Sequence, residues 1–453
     1  MRLLPRGRKP HAKKADKSDK AEKVEKKESP MDTNETSGAQ TRAVTASGSG
    51  HPGDNPPPPP ARRGGFVYVM SNQETGNSVT VFARDVYGNL TRKGTYPTGG
   101  LGVGRSYDLE DTSDPLVSQG SLIASEDQRF LFGVDSGSDE VSSLAVEGER
   151  LRLVSRVASG GVRPVSVAVH GNLLFAVNAT DGSIAGFRVG DDGSLTPVEG
   201  SRKALIGGAG AGPSQIQFTP DGTRLIVTER QTNIIDVFPV DAYGRVGEPV
   251  RNQSAGLAPF TATFHGDVLM VTEIIGAPGF LGSMSTYHVG RDGTLQVISA
   301  SVTTTELTTC WTANSVLDPG VVYVANAQSG SIGAFRIDER GEITLFPADG
   351  HLAVSKNSHA TQDMAITNDG LYLYVLTAGI DEKIADPRLP TYVEGTPYCD
   401  KMSISAYRIE SSAGLTTLKG FGVADDPPRV ISPGVLAPSA GGLAPGSEGI
   451  VAF

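Results

Sequence analysis

One apolar β-strand recurs along most of this chain. It reads FVYVMS at Phe66–Ser71, FLFGVD at Phe130–Asp135, LLFAVN at Leu173–Asn178 and RLIVTE at Arg224–Glu229. It returns as VLMVTE at Val268–Glu273, VVYVAN at Val321–Asn326 and YLYVLT at Tyr372–Thr377. The third residues (Tyr68, Phe132, Phe175, Ile226, Met270, Tyr323, Tyr374) lie 64 residues apart once and then 43 to 53 apart, by subtraction of their numbers. β-branched and aromatic runs between Gly, Ser, Asn and Asp turns are the pattern of consecutive antiparallel hairpins. A unit repeated at this period has to be the building block of the fold.

Each unit fills out to four strands. A first strand often starts at proline, as in Pro164–Val169 and Pro213–Phe218, and a turn such as Thr219-Pro220-Asp221-Gly222 leads into the recurring strand. An alternating strand follows (Ser183–Val189, Asn233–Val240). Then a turn such as Asp191-Asp192-Gly193 introduces the last strand, Ser194–Val198 in that unit. No segment of useful length has the 3.6-residue period of a helical solenoid. The expected fold is therefore all-β, a seven-bladed β-propeller of four-stranded blades. The first unit lacks a first strand, and the C-terminal run from Pro445 to Phe453 resembles the missing one. Pairing of the N- and C-terminal strands would close the ring and leave no open sheet edge.

The propeller is expected to span residues 65–453. Residues 1–63 read as a disordered tail, because alternating Lys and Glu followed by Ser, Gly and Pro56–Pro60 cannot bury enough apolar surface to offset ordering. Two insertions, Gly94–Leu116 and Ile380–Lys401, interrupt the repeat and offer rim loops for a protein partner.

A net charge of -10 argues against nucleic acid, whose phosphates need a basic face. With no apolar run near the length of a membrane span and no apolar leader core, no membrane partner is expected, and the expected location is the cytoplasm. Two cysteines, Cys310 and Cys399, exclude a disulfide framework. The seven histidines are scattered without zinc spacing, so no metal is expected, and no cofactor. GGAGAG at Gly207–Gly212 neither follows a βαβ strand nor opens a helix, and reads as an inter-blade loop.

Propeller geometry brings the entry to each first strand and the end of each second strand to one face. That places Glu229 and Glu273, with Asn178 and Asn326, near Gln119, Gln215, Trp311, His359 and Gln362. Two carboxylates whose pKa values are pushed apart can serve as general acid and base. Trp311, the only tryptophan, can stack on a ligand or fill the channel wall. Cys310 reads as a small buried thiol rather than a nucleophile.

The runs Ser214–Glu229 and Val322–Ile337 resemble the lactonase-type seven-bladed β-propellers, a family that includes bacterial 6-phosphogluconolactonases and fungal carboxy-muconate lactonizing enzymes. The resemblance covers residues 65–453. It implies a small lactone or organic acid bound at the mouth, with Glu273 in the family's Glu position. The slots where relatives carry His or Arg read Gly212-Pro213-Ser214-Gln215 and Ala258-Pro259-Phe260-Thr261, leaving little cationic charge for a phosphate. On this reading Glu273 and Glu229 handle the proton or the water. Gln119 and Gln215 orient the carbonyl, Trp311 packs against the ring, and Asn178, Asn326, His359 and Gln362 complete the binding surface. The rival is a non-catalytic propeller that binds a protein or ligand. A polar funnel with perturbed carboxylates favours the enzyme, whereas a plugged channel with apolar groups on its rim favours the binder.

Overall fold

A computed structural model of the chain describes residues 64–104, 114–276, 281–354, 358–379, 401–418, 443 and 447–453. The expected tail (1–63), Cys399, most of the 380–401 insertion and part of the 94–116 insertion lie outside the described residues. Seven antiparallel sheets follow one another; six have four strands in sequence order, the first is completed by the C-terminal strand, and two carry one further short strand. The innermost strands are Ile450–Ala452, Leu122–Ala124, Pro164–His170, Pro213–Phe218, Leu257–His265, Thr309–Asn314 and Ser358–Ile366. They pack side by side, the last against the first, so the sheets form a ring of seven blades around a channel. No helix among the described residues is long and apolar enough to cross a membrane.

The turns follow from their residues. Gly222 takes a φ of 67°, open to glycine at little cost, and Asp221 Oδ1 accepts from Thr219 Oγ1 (2.6 Å) and the Thr223 N–H (3.1 Å). Proline starts the inner strands Pro164–His170 and Pro213–Phe218, where a missing N–H breaks no ladder. Five inner strands shift register near their starts: between Pro164 and Ser166, Pro213 and Gln215, Pro259 and Ala262, Thr309 and Thr312, and Thr361 and Met364. Such bulges re-aim side chains, and here they decide what the channel contains. Gly207–Gly212 is an inter-blade loop with one short 3-10 turn at Gly208–Gly210.

Ring closure occurs where expected. Val67, Tyr68 and Val69 pair with Ala452, Val451 and Ile450. Arg84 reinforces the seam: one guanidinium nitrogen reaches Asp369 of the seventh blade at 3.1 Å and the Phe453 carbonyl at 3.2 Å. The Arg84 side chain is 2% exposed, and the Phe453 ring meets Tyr68 edge-on at 5.2 Å. Breaking a buried pair from one side leaves an uncompensated charge, which costs about 3–5 kcal/mol. Arg84→Ala is therefore expected to lower the thermal midpoint markedly. Removal of residues 447–453 is expected to abolish the cooperative transition, because the first blade loses its inner strand. Calorimetry checks both, and a truncated chain with an unchanged midpoint would contradict closure.

Candidate functional site

The second strands end in buried polar side chains, and the partners of these side chains define their task. Asp135 accepts from Thr98 Oγ1 (2.6 Å), Asn77 Nδ2 (2.9 Å) and Ser142 Oγ. Glu229 accepts from the Gly207 N–H (2.9 Å) and Thr232 Oγ1. Glu273 accepts from the Gly256 N–H (3.2 Å), Ser283 Oγ (2.5 Å) and Ser285 Oγ. Asn326 accepts from Thr309 Oγ1 (2.7 Å) and donates to Ser331 Oγ (3.1 Å), and Asn178 lies 3.4 Å from Ser183 Oγ. In three blades the side chain thereby grips the connection arriving from the preceding blade. Glycine is required there: a Cβ at Gly100, Gly161, Gly207 or Gly256 would come within 2.6 Å of the Asp135, Asn178, Glu229 or Glu273 side chain.

This differs from the expected polar funnel. Glu229 and Glu273 are fully buried and are not among the residues that line the channel cavity described below. The carboxyl that Glu229 meets is Asp236, on the third strand of its own blade. Burial, together with the neighbouring Glu229, pushes Asp236 up to about 8. Burial also pushes Glu273 up to about 7, against the lowering effect of its serine hydroxyls and the Gly256 N–H. Strand-end position was legible in the sequence; the direction each carboxyl faces was not.

The channel itself holds a cavity of about 350 Å³, walled by inner-strand residues of all seven blades. It runs from Gln119, Gln215 and Asp363 to the far ends of the inner strands at Ala124, Asn314 and Ile366, and Asn314 is exposed there. The Gln119 side chain spans the channel: Oε1 accepts from Thr261 Oγ1 (2.7 Å) and the Thr312 N–H (3.0 Å), while Nε2 donates to the Thr312 carbonyl (3.0 Å). Gln215, which also lines the cavity, accepts from the Ala262 N–H through Oε1 at 2.7 Å. Asp363 is the ionisable side chain on the cavity wall. Burial pushes its carboxyl up to about 7, although the Met364 and Ile450 N–H groups donate to it. Gln362, the neighbour expected at the site, is buried on the same strand as His359 and is not among the residues lining the cavity. The bulge between Thr361 and Met364 is what delivers Asp363 to the channel.

At the entry face the channel is covered by the segment Asp114–Gln119. Ser118 Oγ donates to the Val165 carbonyl (2.7 Å), the Gln119 N–H to the Ser214 carbonyl (3.1 Å), and Trp311 Nε1 to the Ser118 carbonyl (2.8 Å). Trp311 is 2% exposed and meets Phe260 edge-on at 5.1 Å, so it fills the wall beneath this strap. Cys310 is buried beside it. Arg163, immediately before Pro164, donates to the Pro115 carbonyl at 2.5 Å. This arginine at an inner-strand entry went unread, since the family slots lie at other positions. Among the described residues no group of His, Cys, Asp and Glu is arranged to hold a metal.

Comparison with known proteins agrees with this geometry. The family model described as a lactonase, 7-bladed beta-propeller, matches residues 55–207. Over that third of its length the chain is similar to the lactonase-type seven-bladed β-propellers. A 6-phosphogluconolactonase of Yersinia pestis is 23% identical over 339 residues, covering 66% of this chain and 95% of that protein. One of Pectobacterium atrosepticum is 22% identical over 251 residues, covering 54% and 72%. Among solved structures, the periplasmic gluconolactonase of Pseudomonas aeruginosa superposes with a TM-score of 0.55 at 16% identity, covering 79% of this chain and 96% of its own. A protein of Lactobacillus plantarum gives 0.56 at 16%, covering 78% and 95%. At these identities the structural likeness speaks for the fold.

Glu273 generates a stability prediction. Its folded pKa lies above its unfolded one, so its contribution is fully present below the ordinary carboxylate range and is lost as pH rises through about 7. Glu273→Gln keeps an acceptor for the serines without that proton. The variant is expected to match the parent's thermal midpoint near pH 5 and exceed it near pH 8, read by calorimetry at both values. Equal midpoints at both would show that the carboxyl is not buried as described.

Proposed function

We propose that this propeller is a lactonase-type hydrolase that opens a small, uncharged lactone of a sugar acid or organic acid inside the channel cavity, or runs the same step in reverse. The observation that carries the reading is Asp363, a carboxyl with a pKa near 7 on the wall of a ligand-sized cavity beside the amides of Gln119 and Gln215. Ionised Asp363 takes a proton from water as the water attacks the lactone carbonyl. The Gln215 amide donates to the oxygen on which negative charge develops. Asp363 then returns its proton to the ring oxygen as the C–O bond breaks, giving the hydroxy acid. In this assignment Gln119 and Gln215 keep the role read from the sequence, and Asp363 takes the proton-handling role read for Glu229 and Glu273. Asn178, Asn326 and Trp311 hold the walls.

The substrate class follows from charge. No Lys, Arg or His lines the cavity among its described residues, and an ionised Asp363 repels a phosphate. The location proposed with this reading is the cytoplasm, although the fold also serves a periplasmic enzyme in Pseudomonas aeruginosa.

One observation favours the rival, a non-catalytic binding module. The strap closes the entry face, and the connections on that face expose Leu101, Val162, Ile206 and Leu257, between 38% and 49% each. A pH-stat screen separates the two readings. Neutral sugar and aliphatic lactones are expected to turn over with a rate that rises through about pH 7, and Asp363→Asn is expected to lower kcat by about 100-fold or more. Glu229→Gln and Glu273→Gln are expected to stay active, and a neutral δ-lactone to outpace its phosphorylated counterpart. Absence of turnover on every neutral lactone would overturn the enzyme reading and leave the rim as the working surface.

A further inference from the structure

The two ends of the channel are built differently. At the entry face the strap is tied to one blade after another. Its Leu116 N–H reaches Glu448 Oε1, just ahead of the first blade's inner strand, at 2.9 Å. The third blade holds it through Arg163, which donates to the Pro115 carbonyl, and through the Val165 carbonyl, which accepts from Ser118. The Gln119 N–H bonds the Ser214 carbonyl of the fourth blade, and the Gln119 side chain bonds Thr261 of the fifth and Thr312 of the sixth. A segment fixed at this many points is a cover rather than an entrance.

Nothing comparable crosses the opposite face among the described residues. The connections there join first strands to second strands, and they are short. Two are only Gly171–Asn172 and Gly266–Asp267. Three others fold on themselves, with the Ser125, Thr219 and Thr367 hydroxyls donating to the carboxylates of Asp127 (2.7 Å), Asp221 (2.6 Å) and Asp369 (2.5 Å). Burial along the cavity wall follows the same asymmetry. Gln215, Thr312 and Asp363 are 7%, 4% and 5% exposed, whereas Gln217 and Thr263 are half-buried and Asn314, at the end of its strand, is exposed. Solvent therefore meets the cavity from the far end.

The wall at that end is polar and uncharged. Gln217, Thr263 and Asn314 line the cavity from the adjacent inner strands of the fourth, fifth and sixth blades. Asn314 Nδ2 donates to Thr263 Oγ1 and to the Phe264 carbonyl, both at 2.9 Å, which leaves its Oδ1 open. The Gln217 amide makes no hydrogen bond among the described residues and lies where a ligand can supply one. We infer that the ligand reaches Asp363 from the face opposite the strap, and that Gln217, Thr263 and Asn314 form the ring that selects it. Amide and hydroxyl groups exchange bonds with water for bonds with the hydroxyls of a neutral ring at little cost. An ion has to shed its hydration there with no opposite charge on the ring to receive it. The identity of the ligand rests on the reading of Asp363 given above, whereas the route stands without it.

Thiol labelling tests the route with no turnover involved. In the full chain, Asp363→Cys puts a thiol on the cavity wall, and peptide mass spectrometry separates its modification from that of Cys310 and Cys399. Neutral methyl methanethiosulfonate is expected to modify it. The anionic sulfonatoethyl reagent is expected to be about 10-fold slower, each rate being normalised to a free thiol. Gln217→Glu breaks no hydrogen bond, and adding it is expected to slow the anionic reagent by about a further 10-fold while the neutral one keeps its rate. Asn314→Asp is expected to act in the same direction. Ser118→Ala, which removes the strap's bond to the Val165 carbonyl, is expected to change neither rate. Ala365→Cys supplies a thiol on the same wall should Asp363→Cys fail to fold. An introduced thiol that neither reagent reaches, rates indifferent to both added charges, or rates raised by Ser118→Ala would overturn the route. Equal normalised rates for the neutral and anionic reagents would overturn the selection. A failed lactone screen leaves these results intact, and a failed labelling test leaves the screen intact.

Discussion

The pairing of Ile450–Ala452 with Val67–Val69 is the constraint on which the rest of the molecule depends. A propeller whose first blade lacks its inner strand has an open edge and a channel with a missing wall. Here one short segment supplies several things at once. Ile450, Val451 and Ala452 line the channel cavity, the Ile450 N–H donates to Asp363, and Glu448 holds the strap. The Phe453 carbonyl receives Arg84, which also reaches the seventh blade. Fold closure, the poised carboxyl and one anchor of the entry-face strap are thus parts of one chain end.

The ring is then stiffened blade by blade by buried polar contacts, and these carry a consequence for charge. Asp135, Asp236, Glu273, Asp363 and Glu448 are all pushed upward by burial. Each holds its proton to a higher pH than a surface carboxyl does. The formal net charge of -10 counts every one of them as ionised, so the folded protein near neutrality is less negative than that. Alkaline pH acts against the native state through the same groups, since the unfolded chain gives up those protons more readily.

Much of the fold was legible because a propeller repeats its hydrophobic pattern. The seven recurring strands, the proline starts, the glycine turns and the C-terminal closing strand all reappear in the structure at the residues that suggested them. The site was less legible, for two reasons. Sequence alternation gives a residue's place along a strand, yet a bulge changes which face it occupies; the one between Thr361 and Met364 brings Asp363, rather than the expected Gln362, to the cavity wall. Long-range partners leave no local trace either. Glu448 holds the Leu116 N–H from 332 residues away, and Glu229 is spoken for by Asp236 and the glycine loop at Gly207. Gln119 and Gln215 lie at first-strand entries and do line the cavity, whereas Gln362, at the corresponding entry of the seventh blade, does not.

Whether the channel cavity receives the ligand decides the function proposed for this propeller. Calorimetric titration of a non-hydrolysable lactam analogue of a neutral sugar lactone addresses that directly, in the parent and in Ala365→Phe, which places a ring in the cavity from the seventh blade's inner strand. The account predicts measurable binding heat in the parent and none in the folded variant. Equal binding by both would place the ligand elsewhere and contradict the assignment of the cavity as the site.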